Sequence, residues 1–359
     1  MKKPYFSIIM PVYNAQAYVE KAIKSILNQT FTEFELLIID DKSTDKSIDI
    51  IQSIALKDER IRVISFEENK GVSMARNKGM EEASGHYIWY MDADDTVDNC
   101  LLQEVWESLK KNPARIVLFG VIEEYYDQEG KFLYEHKIVP KAGNYKTKKE
   151  LRPEILPLER ETLYGYVWNK VYNLEYLKSK KSSFVNYEDA RFIEDILFNI
   201  AVTNDLPSLN VLGIAPYHYG KRMNENLTNE FAFDYFENHR KRIEALYQQQ
   251  MDWNRDTKEV RGILGGLYAR YILSAMVRNL DKRRNMTGKE RRIFLKGLYK
   301  EKLFVRLIPV ASVQDSKSLR LWVTLLKQKR SIPCLLMAKV VYVIRRRLPS
   351  TFNKTKSGR

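Results

Sequence analysis

Cysteine is scarce in this sequence. Cys100 and Cys334 are its only two, too far apart to suggest a disulfide framework or a zinc site, and this suits a reducing cytoplasm. Long apolar runs are also missing. Residues 5–10 are too short for a signal peptide and lack a cleavage pattern, although Lys2 and Lys3 precede them. Residues 332–344 form the longest apolar stretch, but Lys339 interrupts it and it falls short of a bilayer span. Neither a visible export signal nor a membrane crossing is expected. Glycine-rich phosphate loops are absent too. The turn after the first expected strand has neither Gly-x-Gly-x-x-Gly nor Gly-Lys-Ser/Thr, which argues against a dinucleotide fold and a P-loop.

What remains is a chain of 359 residues, 44% hydrophobic and 30% charged, enough to bury one large or two smaller cores. Its net charge of +14 is unevenly placed. Residues 281–359 hold 22 Lys/Arg against 4 Asp/Glu, whereas the first 280 residues are slightly acidic. Basic character therefore belongs to the C-terminal region alone.

The first hundred residues alternate strand and helix. Strands are expected at residues 5–10, 35–39, 61–65 and 87–91, with helices at 17–28, 46–57, 73–83 and 98–111. Such alternation implies a parallel sheet with helices on both faces, and ligands then bind at the carboxyl ends of the strands. A polar cluster follows each strand: Pro11-Val12-Tyr13-Asn14, then Asp40 to Asp45, then Asn69-Lys70-Gly71 leading to Ala75-Arg76-Asn77-Lys78-Gly79, then Asp92-Ala93-Asp94-Asp95. Any one of these reads equally as a solvated loop or a helix cap, Asp45 in particular. Four on one sheet edge point to a shared site. In the last cluster Asp92 and Asp94 share a side of an extended backbone and can face one divalent cation, or they form an acidic surface turn. Without a phosphate loop, a bound diphosphate would need positive charge such as a metal ion.

These four motifs, in order and spacing over about the first 110 residues, resemble family 2 glycosyltransferases, which are inverting enzymes with the GT-A fold. The resemblance implies that Pro11, Val12, Tyr13 and Asp41 form the base pocket of a nucleotide, with Asp41 accepting from a ring N–H such as that of uracil. It implies that Arg76 reaches the nucleotide, and that Asp92 and Asp94 bind ribose and a metal–diphosphate group through Mg²⁺ or Mn²⁺. Asp95 is left without a fixed role.

The middle of the chain is expected to face the acceptor. Residues 115–126 read as one long strand with a hairpin turn at 127–130 into 131–139. Residues 165–172 read as a strand carrying Trp168 and Lys170, Trp168 being either a sugar-stacking or a core residue. Glu194 and Asp195 open a helix whose apolar face is Ile193, Ile196, Leu197 and Ile200. Acids there can simply favour the helix dipole. The family resemblance instead implies that Asp195 is the general base, with Glu194 as neighbour or alternative. The family resemblance implies that residues 217–228 form a loop near the leaving group, where Lys221 or Arg222 would pair with diphosphate and His218 would be either a phosphate or metal contact or a satisfied strand residue.

Beyond residue 230 the pattern is helical, at 231–250, 258–279, 289–302, 316–329 and 333–347. The last helix sets Leu335, Leu336, Val340, Val343 and Ile344 against Lys339 and Arg345-Arg346-Arg347, which suits an anionic membrane surface, a docking helix or a basic nucleic-acid surface. No recognised nucleic-acid motif accompanies it. The expected organisation is a GT-A catalytic domain at 1–229, with a nucleotide half to about 112 and an acceptor half after it, then a helical basic region at 230–359. The expected activity is metal-dependent transfer of a sugar from a nucleotide donor, UDP-linked, to a glycan or lipid-linked acceptor in cell-surface or capsular polysaccharide synthesis. The expected place is the inner face of the cell membrane, with no nucleic-acid partner. Alternatives are a sugar nucleotidyltransferase and a non-catalytic membrane or nucleic-acid adaptor on a transferase domain.

Overall fold

A computed structural model describes residues 3–222, 233–314 and 316–347. The chain divides into two compact units, Met1–Glu230 and Phe231–Arg359. In the first, β1 (Phe6–Val12), β2 (Phe34–Asp40), β3 (Ile61–Ser65) and β4 (Tyr87–Tyr90) lie parallel in the order β3-β2-β1-β4. Helices Val19–Leu27, Ser47–Ala55 and Val72–Glu82 connect them, as the alternation predicts. All seven residues of β2 are buried, as a strand covered on both faces requires.

β1 runs two residues past the expected end and takes in Pro11 and Val12. Pro11 is tolerated because β4 stops at the level of Ile9, so its missing N–H breaks no ladder bond on that side.

The chain continues through β5 (Thr96–Val97), helix Leu101–Lys111, β6 (Ile116–Leu118), β7 (Val121–Tyr126), β8 (Phe132–Ile138), β9 (Gly143–Tyr145), β10 (Lys170–Asn173), β11 (Leu209–Val211) and β12 (Tyr217–Lys221). The large sheet is ordered β3-β2-β1-β4-β10-β6-β11-β9, with β10 antiparallel between β4 and β6. A smaller sheet runs β5-β12-β7-β8.

Three expectations in the first unit are corrected. The single strand at 115–126 is two strands in different sheets, parted at Phe119 and Gly120, where Phe119 N–H donates to Asn169 and Gly120 N–H to Ile214. The strand at 165–172 begins only at Lys170, because the preceding chain wraps the Lys170 ammonium, which donates to the carbonyls of Leu163 and Tyr166. The loop expected from 217 is strand as far as Lys221, and its remainder, 223–228, lies outside the described residues.

The second unit is helical among the described residues: Tyr235–Asp252, Lys258–Arg278, Gly288–Leu298, Lys302–Leu307, Lys317–Lys327 and Ser331–Arg347. Lys258–Arg278 is its centre and is apolar on several sides, with Leu264, Leu267, Ile272 and Met276 buried. Trp322, fully buried, donates its indole N–H to Ala269 on that helix at 2.8 Å. The helix expected at 289–302 ends at Leu298, and a second begins at Lys302. The last helix packs on this core and is no loose tail. No described helix is long and apolar enough to cross a membrane.

Candidate functional site

The first two loops brace each other. Asn14 N–H donates to Ser43, Gln16 N–H to Asp45, and Thr44 N–H to the Asn14 side chain. Asp45 also accepts from Ser47 N–H, a turn just ahead of the helix whose N-cap is Lys46, so Asp45 is a loop brace and not the cap itself. Val12 is buried, while Tyr13 is 52% exposed and presents its ring at the carboxyl end of β1. Asp41 is enclosed, and its two oxygens accept from Lys70 N–H at 2.7 Å and Gly71 N–H at 2.8 Å. Desolvation by burial is the largest influence on its carboxyl pKa, which lies above the usual range. Asp41 thus clamps the third loop to the second.

Gly71 opens the next helix at φ +84°, a backbone conformation that side chains rarely adopt. Gly79, inside the same helix, is a packing glycine: a Cβ there would sit 2.3 Å from Ile9 Cγ2. That close approach seats the helix on β1 and sets where Arg76 emerges.

Arg76 is 4% exposed, and its guanidinium joins two distant parts of the sequence. Nη1 donates to Asp195 Oδ1 at 2.5 Å and Nη2 to Asp92 Oδ1 at 3.1 Å, while Glu194 Oε1 lies 3.6 Å from Nη1. The ring of Phe184 lies under the guanidinium at 5.4 Å. Burial opposes the charge, but Asp195, Asp92 and Glu194 together hold Arg76 firmly protonated.

The three acids after β4 separate by direction. Asp92 and Asp94 are partly open, with side chains 28% and 38% exposed. Asp95 turns inward, where it accepts from the Tyr217 hydroxyl at 2.8 Å and from Gly220 N–H at 2.9 Å. The same hydroxyl accepts from Asp92 N–H at 3.3 Å. Burial and the neighbouring Asp94 and Asp92 push Asp95 well above the usual carboxylate range. Asp95 is therefore a tie between this loop and β12. That tie delivers Arg222 to Asp94: Nη1 is 3.2 Å from Asp94 Oδ2 and Nη2 donates to the Asp94 carbonyl at 2.9 Å. The guanidinium sits 4.0 Å from the Tyr18 ring centroid. Lys221, the other candidate cation, turns away to Glu123. Both His218 ring nitrogens are engaged, with Glu124 at 2.8 Å and Asp98 at 3.1 Å, which is the satisfied strand residue.

Glu194 and Asp195 lie in the first turn of helix Glu194–Thr203, as expected. Glu194 is the more buried, and one of its oxygens has no hydrogen bond. Desolvation first, and Asp195 second, raise it to about 8. Burial also raises Asp195, opposed by Arg76 and Lys170. Lys170 is enclosed at 1% exposure and brought down to about 7 by desolvation. Trp168 is buried at 3% and stacks on Tyr217 at 4.6 Å, so it belongs to the core. Sequence reading missed Tyr217 and the tie at Asp95. The only signal was the count of acids, one more than an Asp-x-Asp pair needs.

Among the described residues no group of three or more His, Cys, Asp or Glu side chains is placed to hold a metal ion alone. Asp92 and Asp94 fit a different arrangement, in which one or two carboxylates hold Mg²⁺ or Mn²⁺ and substrate phosphate and water complete the shell.

Residues 7–166 match the family description "Glycosyl transferase family 2". The chain carries a family 2 glycosyltransferase domain. The family 2 domain has relatives among bacterial proteins. The chain is 31% identical over 233 residues to the uncharacterized glycosyltransferase EpsJ of Bacillus subtilis, covering 64% of each chain. It is 28% identical over 232 residues to the poly(ribitol-phosphate) beta-N-acetylglucosaminyltransferase TarS of Staphylococcus aureus, covering 63% of this chain and 37% of TarS. The chain thus spans less than two thirds of the length of these relatives. Its fold is similar to the crystal structure of S. aureus TarS 1–349 in complex with UDP-GlcNAc, with TM-score 0.61, 19% identity, and coverage of 93% of this chain and 90% of that one. The architecture of the first unit is the GT-A fold.

Proposed function

We propose that this protein is an inverting, metal-dependent glycosyltransferase that moves a sugar from a UDP-sugar to a glycan acceptor in bacterial cell-surface polysaccharide synthesis. One observation carries the reading: a single guanidinium, Arg76, holds Asp92 of the Asp-x-Asp loop and Asp195 of a helix 103 residues further on. A diphosphate site and a carboxylate base thereby lie within one side chain of each other, which is what a one-step displacement needs. TarS, a relative that acts with N-acetylglucosamine and whose structure is known with UDP-GlcNAc, supports the choice of donor class.

In this reading Tyr13 offers its exposed ring to the nucleotide base, and Asp41 shapes that pocket through the third loop while its remaining lone pairs meet a ring N–H. Asp92 and Asp94 would hold Mg²⁺ or Mn²⁺, which when bound supplies positive charge to the departing diphosphate. Arg222 adds a guanidinium beside Asp94 for the same phosphate. Asp195 takes the proton from an acceptor hydroxyl as that oxygen bonds to the anomeric carbon. The bond from that carbon to the diphosphate oxygen breaks, and UDP leaves with the electron pair. Glu194, whose carboxyl burial and the neighbouring Asp195 push up to about 8, is the less suited of the two to act as base. Arg76 orients Asp195 between acceptor and donor, a positioning role that its burial supports. A lipid-linked acceptor completes the reading.

The test is a screen of UDP release across nucleotide sugars with Mn²⁺ present, in the wild type and in Asp195→Asn. Release from one UDP-sugar that the variant loses supports the reading, and full activity in Asp195→Asn overturns the base. Calorimetry with UDP separates donor binding from turnover: binding that is absent, or indifferent to Mn²⁺, counts against the metal-assisted transferase.

A further inference from the structure

The last helix, Ser331–Arg347, has two faces of different character. Cys334 and Ala338 are buried and seat it against helices Lys258–Arg278 and Lys317–Lys327. On the opposite side Ile332, Leu336, Val340, Val343 and Ile344 are 58%, 61%, 57%, 38% and 39% exposed. Steps of four, four, three and one residues place all five on a single stripe. Folding of this unit does not require them, since the buried face already supplies the packing. A contiguous apolar strip left in water marks a surface that meets something else.

Its surroundings indicate what that is. Lys339 borders the stripe, Lys329 and Arg330 precede it and Arg345 lies at its far end, all exposed. None of these four forms an ion pair among the described residues. Helix Gly288–Leu298, which packs against the last helix, adds exposed Arg292 and Lys296. A second copy of this chain would bring two such cationic rims together at the same charge. A bilayer with anionic headgroups instead offers phosphate to the rim and acyl chains to the stripe.

We infer that this helix face docks the protein on an anionic membrane, lying in the interface plane with the stripe inserted below the headgroups and the flanking lysines and arginines among the lipid phosphates. Apolar insertion and charge act as two signals, each weak alone. The inference is independent of the donor and acceptor proposed above, because it rests on the second unit alone.

Sedimentation of the full-length protein with vesicles tests it, comparing phosphatidylcholine with phosphatidylcholine containing phosphatidylglycerol. The wild type should partition onto the phosphatidylglycerol vesicles and much less onto the neutral ones. Leu336→Glu with Val340→Glu should lower that partition about tenfold or more, with melting temperature unchanged because both positions are exposed. Lys339→Glu should weaken it by a smaller factor that shrinks as salt is added. Equal sedimentation of wild type and the apolar double variant overturns the inference. So does a wild type that ignores vesicles but forms a dimer, by light scattering, that the double variant dissolves; the stripe would then join two copies. Should the double variant melt lower than wild type, Val340→Ser read in the same assay decides between the same two outcomes.

Discussion

Nη1 of Arg76 lies 2.5 Å from Oδ1 of Asp195, while the other terminal nitrogen of the same side chain holds Asp92. A nearly buried cation therefore fixes the distance between the loop after β4 and the start of a helix far along the chain. Replacing Arg76 with Ala should leave buried carboxylates unpaired and cost about 3–5 kcal/mol of stability, measured by urea unfolding. A loss under about 1 kcal/mol would show that the three acids do not depend on it.

Arg76→Lys keeps a charge but loses the planar fork that reaches two carboxylates at once. The positive charge of Arg76 opposes the burial that raises Asp195, so weaker pairing should lift the Asp195 pKa further. If Asp195 is the base, it acts deprotonated, and the acid limb of the kcat/KM profile should move to higher pH in Arg76→Lys. An unmoved limb with lower activity would assign that limb to another group.

Glu194 gives a stability signature of its own. Burial, and Asp195 beside it, push its carboxyl up to about 8 from an ordinary value of about 4.5. Between those values the folded chain holds a proton that the unfolded chain has released, so stability falls as pH rises from about 4.5 to 8. Glu194→Gln removes that term. Its melting temperature should drop less than that of the wild type between pH 5 and pH 8, and parallel curves would contradict the shift.

Asp95→Ala would strand the Tyr217 hydroxyl and Gly220 N–H, at a cost of about 3 kcal/mol. It should also loosen Arg222 from Asp94, because β12 is what delivers that arginine. Weaker UDP binding together with a lower melting temperature is the expected result. Tyr217→Phe should do the same to a smaller degree, since Gly220 N–H keeps its acceptor.

Gly79→Val should clash with Ile9 and destabilise by about 1–3 kcal/mol, with Gly79→Ala between it and the wild type. The opposite ranking would mean that the helix can move off β1 without strain.

The sheet edge that gathers these residues was legible in the sequence because local signals set it. Each of the first four strands is a short apolar run followed by a helix, and parallel alternation then places every following loop on one edge. Glu194 and Asp195 were equally readable, as acids ahead of an apolar helical face. Pairings between distant segments were not. Nothing local in residues 170–173 says that they insert antiparallel between β4 and β6, and nothing in the apolar run 115–126 marks the change of sheet at Phe119 and Gly120. Asp95 reads like its neighbours in sequence. Its inward turn depends on Tyr217, 122 residues away. Trp168 was ambiguous for a similar reason: burial is decided by the strand that covers it.

The arginine partners of Asp92 and Asp94 make the proposed donor site an ion exchanger already loaded with counter-ions of its own. A divalent ion arriving alone would have to compete with Arg222 for Asp94 and with Arg76 for Asp92, and so should be held feebly. A nucleoside diphosphate changes that balance, since Arg222, on leaving its carboxylate, meets an anion at once. Recognition of the donor would then be a trade of partners among fixed charges. Cation and nucleotide should accordingly bind as an interdependent pair, each raising the affinity of the other by the same factor.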